Sequence, residues 1–243
     1  MDFHTMLADD PKALSGVCVA LLGGGGKTGL MLRLGAELAI HYPRVLMTSL
    51  TRSAANSESP ALLLSGLDET QPLPFGGNNP LLVMDHPVTD GKLAGVSPET
   101  LVELLSRSSL AVVECDGSRR LPLKAHNDRD PVTPDCVTHV VVVVGAGVVD
   151  TTLDEGKVHR PELFRSRWGL APDTVLEADF IAEVVTSPQG YGSKITGGQS
   201  VVYFVNQADR WPDAAQRLAR AIQSHANRPT FWGSIREGFL QAK

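Results

Sequence analysis

The chain has 243 residues, of which 42% are hydrophobic and 20% charged, and a formal net charge of −5. That is apolar enough to bury a full core, so a disordered chain is excluded, and one α/β domain accounts for the length. The acidic balance argues against bulk attraction to nucleic acid or to an anionic membrane, which leaves a small anionic ligand as the better expectation.

Residues 17–22 form an apolar run of strand type that empties into Gly23-Gly24-Gly25-Gly26-Lys27-Thr28. Consecutive glycines let the backbone curl until several N–H groups face one anion, and the following helix adds its positive end. Gly23, Gly24, Gly25, Gly26 and Lys27 are therefore expected to hold phosphate, with the Thr28 hydroxyl offered to Mg²⁺. The full G-x-x-x-x-G-K-[ST] pattern would need a glycine at Leu21, so this is a shortened form, similar to the compact loop of the Mur ligases. A tight strand-to-helix turn with an exposed lysine is the plainer alternative.

Leu30, Leu34 and Leu38 then give a helix one apolar stripe, which Pro43 ends, and residues 44–49 read as a second strand. Strand, loop, helix, strand is the βαβ unit of parallel sheets, with Thr51 and Arg52 at its carboxyl end. Residues 53–80 lose periodicity and read as a surface insertion, apart from one helical turn at residues 61–64. Asp90-Gly91 between residues 81–85 and 92–96 predicts an antiparallel hairpin. Ser97-Pro98-Glu99 opens a helix expected to end near Arg107 and to bury Leu101, Val102 and Leu105. Residues 110–116 are a strand of the doubly buried kind, as are residues 139–144 and 201–205. Helices are expected over residues 161–168 and 176–185 and from Pro212, with Leu218 and Ile222 inward, before a short strand or coil at residues 230–232. The whole reads as one α/β domain, 1–243, of P-loop NTPase type, a mostly parallel sheet flanked by helices with one antiparallel hairpin.

Four constellations could carry chemistry. Glu114 and Asp116, two apart on one strand, share a face and could hold Mg²⁺ opposite Thr28, with Asp116 the stronger choice; a strand simply returning to solvent explains the same residues. The run Arg119-Arg120-Leu121-Pro122-Leu123-Lys124-Ala125-His126 could neutralise a transferred phosphate or bind an acidic substrate, Lys124 first, or be a solvated loop balanced by Asp128 and Asp130. His159 could move a proton and Arg160 act on phosphate charge, preceded by Asp154, Glu155 and Lys157, or they could form a plain helix entry. Asn206-Gln207-Ala208-Asp209 resembles the N-[KT]-x-D element that grips guanine, with Gln207 departing from it; Asp209 would then favour GTP over ATP.

Three cysteines, Cys18, Cys115 and Cys136, show no C-x-x-C or zinc spacing and read as reduced cytoplasmic thiols. Residues 1–16 lack the apolar core of a secretory signal, and the longest apolar run, residues 140–149, is about half of what a membrane-spanning helix needs.

Taken jointly, the G-x-x-G-K-T loop, Thr48-Ser49-Leu50-Thr51-Arg52, Lys92-Leu93-Ala94-Gly95, Glu114-Cys115-Asp116-Gly117-Ser118, Pro122-Leu123-Lys124 and Val158-His159-Arg160-Pro161-Glu162 resemble the YqeC family. Gly29 and Ser49-Leu50 depart from the hydroxyl-rich pattern expected there. The family is described as an accessory of selenium-dependent molybdenum hydroxylases or as a selenium cofactor biosynthesis protein. The resemblance implies Mg²⁺ with ATP or GTP, hydrolysis in the service of such an enzyme's maturation, and the hydroxylase or its cofactor-maturation proteins as partners. Two other readings fit the residues: a kinase or ATP-dependent ligase acting on a small acid, and a nucleotide-gated delivery or docking module with little turnover. Oligomeric state leaves no trace in the sequence.

Overall fold

The computed structural model describes residues 1–54, 61–67, 71–89, 91–153, 156–195 and 197–243. The apolar runs become the middle of a sheet built from β1 (Cys18–Gly23), β2 (Val45–Ser49), β3 (Leu62–Leu63), β4 (Leu81–Met84), β5 (Leu110–Glu114), β6 (His139–Gly145), β7 (Ser200–Asn206), β8 (Thr230–Ser234) and β9 (Phe239–Ala242). Their order is β9-β8-β7-β6-β1-β5-β2-β4-β3, and every pairing is parallel except β8 with β9. This is a mixed α/β architecture with a large, mostly parallel sheet.

Both faces of that sheet are covered, which is why its strands read as unbroken apolar runs. Val19 and Leu21 of β1 point to one face, where Leu30, Leu34 and Leu38 of α1 (Lys27–Ala39) and Phe3 and Leu14 of two N-terminal 3₁₀ turns pack. Ala20 and Leu22 point to the other, against α2 (Pro98–Ser106), α4 (Ala178–Thr186) and α5 (Pro212–Ala226). A further helix, α3 (Pro161–Trp168), places Phe164 in the second cluster. Among the described residues no helix is long and apolar enough to cross a membrane.

The chain leaves β1 through α1 toward β2, returns to lay β5 beside β1, and then places β6 on β1's opposite side. Loops therefore diverge at the carboxyl end of β1, and in open α/β sheets that divergence opens a crevice.

Several local expectations change. Residues 81–84 join the sheet as parallel β4; the antiparallel ribbon is shorter, pairing Pro87–Val88 with Lys92–Leu93 and then Lys92–Leu93 with Ser53–Ala54. Asp90 lies outside the described residues. Within the insertion, Leu62–Leu63 is the edge strand β3 and only Leu64–Gly66 turns as a 3₁₀ helix. Val102 is exposed because the stripe of α2 runs through Leu101 and Leu104, and Val102 falls about 100° from Leu101 around the axis. Leu176 belongs to a two-residue antiparallel ribbon with Thr151, so α4 starts two residues later. Residues 230–232, where strand or coil was an open choice, belong to strand β8, and β9 beyond it pairs antiparallel to close the edge.

Gly95 seats the ribbon against the sheet. Val96 N–H donates to Ser49 O at 2.9 Å, and a Cβ on Gly95 would lie 2.4 Å from Thr51 N and 2.6 Å from Ser49 O, both backbone atoms that cannot step aside. Gly95→Ala should therefore lower unfolding free energy by about 1–3 kcal/mol, read as a lower urea midpoint with an unchanged slope.

Candidate functional site

The loop between β1 and α1 needs its glycines on two counts. Gly23, Gly25 and Gly26 have φ of +100°, +82° and +131°, and a Cβ at Gly23 or Gly25 would come within 2.3 Å of Val143 O or Gly145 N respectively. Three of the loop's amides serve the protein itself. Gly23 N–H donates to both oxygens of Asp116 at 3.1 Å, Gly24 N–H to Val143 O at 2.9 Å, and Gly25 N–H to Leu121 O at 2.9 Å. The amides of Gly26, Lys27, Thr28 and Gly29 have no acceptor among the described residues, as the first four N–H groups of a helix must not. Gly26 is exposed, so this cluster of donors, with the positive end of α1 behind it, meets solvent.

Below the loop lies a buried carboxylate surrounded by cations. Asp116, with no exposed surface, has Lys27 Nζ at 3.2 Å, Lys124 Nζ at 3.5 Å and His126 Nε2 at 2.5 Å. Burial alone would raise its pKa, but Lys27, His126 and Lys124 outweigh that and hold it far below the usual carboxylate range. Burial lowers the pKa of His126, so the neutral ring donates from Nε2 to Asp116 while its buried Nδ1 has no partner among the described residues. The ring lies 4.2 Å from Tyr191, whose hydroxyl donates to Lys124 O at 2.8 Å and accepts Lys124 N–H at 3.2 Å.

Glu114 is in a different position. Its Oε2 accepts the Thr28 hydroxyl at 2.7 Å and its Oε1 is 3.7 Å from Lys27 Nζ, which itself donates to Gly23 O at 2.5 Å. Burial outweighs these partners and raises the Glu114 pKa. A hydroxyl facing a carboxylate is a hard-oxygen pair suited to Mg²⁺, which takes one or two carboxylates and completes its shell with phosphate and water. The oxygens of Asp116 are already taken by N–H donors, so the geometry fits Glu114 better than Asp116 as the metal-side acid. No group of three or more His, Cys, Asp or Glu among the described residues could hold a metal unaided.

Lys124 also ion-pairs with Asp130, which accepts from Arg160 Nη1 at 2.8 and 3.0 Å. His159 pairs in register with Lys124; burial and then the charges of Arg160, Lys124 and Arg119 pull its pKa down to about 4. Asp154 and Glu155 lie outside the described residues. Asn206 is close by, but its side chain is engaged: Nδ2 donates to Gly25 O at 2.7 Å and Oδ1 accepts Ile235 N–H at 3.1 Å. Asp209 is half-buried, with no side-chain partner among the described residues. The structure thus brings Lys27, Thr28, Glu114, Asp116, Lys124, His159, Arg160 and Asn206 together. It gives His126, which the sequence offered only as the end of the basic run, a partner in Asp116, and it adds Tyr191, which nothing local marks.

A family model described as YqeC protein matches residues 19–162, which include the glycine loop, both carboxylates, Lys124, His159 and Arg160. The chain belongs to the YqeC family. It is similar to the Escherichia coli (strain K12) protein described as "Uncharacterized protein YqeC", with 29% identity over 230 residues that cover 90% of this chain and 88% of that protein. Asn206, Asp209 and Tyr191 lie beyond the stretch that the YqeC model matches, though Tyr191 packs into its centre.

The buried cluster sets how this YqeC chain responds to acid. His126 and His159 take up protons less readily folded than unfolded, so the stability tied to their neutral forms declines as pH falls below 6.5. Asp116 and Asp130 have depressed folded pKa values, so their contribution is present above 3.8 and lost as pH falls below it. Urea midpoints at pH 8, 5.5 and 3 should fall in two stages. Asp116→Asn should cost about 3–5 kcal/mol at pH 8, because it leaves buried cations unpaired, and should flatten the acid stage below pH 4.

Proposed function

We propose that this chain is a P-loop protein that binds a nucleoside triphosphate with Mg²⁺ at the carboxyl ends of β1 and β5 and hydrolyses it. The observation that carries the reading is Lys27: a buried ammonium at the entry of α1, turned onto Gly23 O and two carboxylates, beside four unpaired backbone amides. Such a lysine can exchange its carbonyl for a phosphate oxygen, and the amides supply the remaining anion contacts.

In this reading Thr28 and Glu114 hold the metal, and Mg²⁺ supplies charge neutralisation across the outer phosphates. Asp116 acts through others, fixing Lys27 and Lys124 and the amide of Gly23. Asn206 braces the loop through Gly25, which leaves Asp209 as the group to meet the base. Acting as an accessory in the maturation of a selenium-dependent molybdenum hydroxylase or its cofactor, in the cytoplasm, is the part of the proposal supported by family resemblance alone.

Calorimetric titration of ATP and GTP, each with Mg²⁺, tests it. Wild type should bind one of them, Lys27→Ala should bind at least about tenfold more weakly, the usual loss for a charged hydrogen bond, and Glu114→Gln should bind with little dependence on Mg²⁺. If neither nucleotide binds wild type at millimolar concentration, the reading fails. Preference for GTP that disappears in Asp209→Ala would assign the base contact.

A further inference from the structure

Among the described residues six other than glycine have positive φ, and three of them are arginines beside the site: Arg119 at 52°, Arg120 at 64° and Arg160 at 63°. Side chains seldom adopt this region because Cβ crowds the following carbonyl, so such residues persist where the surroundings impose them. Arg119 and Arg120 are exposed and make no ion pair or hydrogen bond through their side chains among the described residues; they are the two central residues of a four-residue turn, which accounts for their positive φ and leaves both side chains free. The turn is closed by Leu121 N–H donating to Ser118 O at 2.9 Å and is tied to the glycine loop where Leu121 O accepts Gly25 N–H at 2.9 Å. The backbone that carries the two arginines is thereby held next to the glycine loop.

Among the described residues Lys27, Lys124 and Arg160 are ion-paired with Glu114, Asp116 and Asp130, whereas Arg119 and Arg120 beside them have no ion-pair partner, in a chain of net charge −5. We propose that Arg119 and Arg120, with His159 and Arg160 behind them, form a second anion subsite that takes the oxyanion of a small acidic co-substrate beside the outer phosphate of the nucleotide. This deepens the nucleotide reading and rests on it for the chemistry, though not for the binding. His159 is kept neutral by burial and then by its cationic neighbours, so it can hydrogen-bond an anion without titrating near neutral pH. An ionised carboxylate or phosphate oxygen held there takes the place of the water of hydrolysis and attacks the γ-phosphorus. The new O–P bond forms as the bond from the γ-phosphorus to the β–γ bridging oxygen breaks, and the diphosphate leaves with that electron pair. No proton has to move, because the attacking oxygen is already ionised.

The test uses inorganic phosphate and succinate as probes, titrated into wild type, Lys27→Ala and the double variant Arg119→Gly/Arg120→Gly. Glycine suits positive φ, so the double variant removes the charges without straining the turn. Phosphate or succinate should bind wild type and Lys27→Ala within about threefold of each other, and the double variant at least about tenfold more weakly, while the double variant keeps wild-type affinity for Mg²⁺-nucleotide and an equal or higher Tm. The stronger probe tells a phosphate site from a carboxylate site. Binding lost in Lys27→Ala would place the anion in the glycine loop and overturn the proposal. So would undiminished binding in the double variant, or a Tm lowered by several degrees, which would make the turn structural. Wild type that takes up phosphate or succinate but no nucleotide would sink the nucleotide reading and leave the subsite standing.

Discussion

An ionised carboxylate with no contact to water is tolerable only if cations and N–H donors replace the water, and Asp116 is such a group. Its partners come from separate parts of the chain: Lys27 from the start of α1, the Gly23 amide from the end of β1, and Lys124 and His126 from the segment after β5. Lys124 in turn is buried and needs Asp130, and Asp130 takes Arg160 at the entry of α3. A row of alternating charge, Lys27, Asp116, Lys124, Asp130, Arg160, therefore links two helix entries through the interior. Removing any member strands a neighbour, so the segment between β5 and β6, whose regular structure is the two-residue pairing of Leu123–Lys124 with Val158–His159, is held by these charges as well.

That constraint decides what the glycine loop can offer. With the Gly23, Gly24 and Gly25 amides tied to Asp116, Val143 and Leu121, the loop's shape is set by the protein rather than by a ligand. The donors left for an anion are those that α1 cannot satisfy itself, so the loop serves to aim the helix entry. The two neighbouring acids are driven apart by the same arrangement. Asp116 is ringed by positive groups and stays ionised, while Glu114 has a hydroxyl and a more distant lysine and has its pKa raised. Two carboxylates of one strand thus acquire different chemistry from their surroundings, one fixing cations and the other free to exchange partners.

The features legible in the sequence were those carried by neighbours along the chain. The stripe of α1, the Ser97-Pro98 helix entry and the apolar runs of β1, β5, β6 and β7 follow from periodicity and capping, and the glycine loop from composition at one place. What was not legible depends on distant partners. Two-residue strands such as β3 have no period to read, and residues 81–84 pair with β2 rather than with the nearer segment because a parallel sheet buries both their faces. Tyr191 meets Lys124 across 67 positions. The claim of Leu121 and Val143 on glycine amides, which moves the expected phosphate donors toward residues 26–29, has no sequence signature at all.

Asn206 shows how far a motif can be right in place and different in use. As part of an N-x-x-D element it reads as a grip on a base, yet its amide spans 181 positions to hold Gly25 O, while its carbonyl takes the Ile235 amide just beyond β8. Ile235 in turn packs where a Cβ on Gly26 or Gly29 would stand, at 3.4 Å from each. Ala208, between Asn206 and Asp209, donates to Gly233 O at 3.0 Å. The last parallel strands and the glycine loop are therefore one mechanical unit. Asp209 lies on the same short segment that fixes Gly25, so a displacement of Asp209 is coupled, through Asn206, to the geometry of the entry of α1.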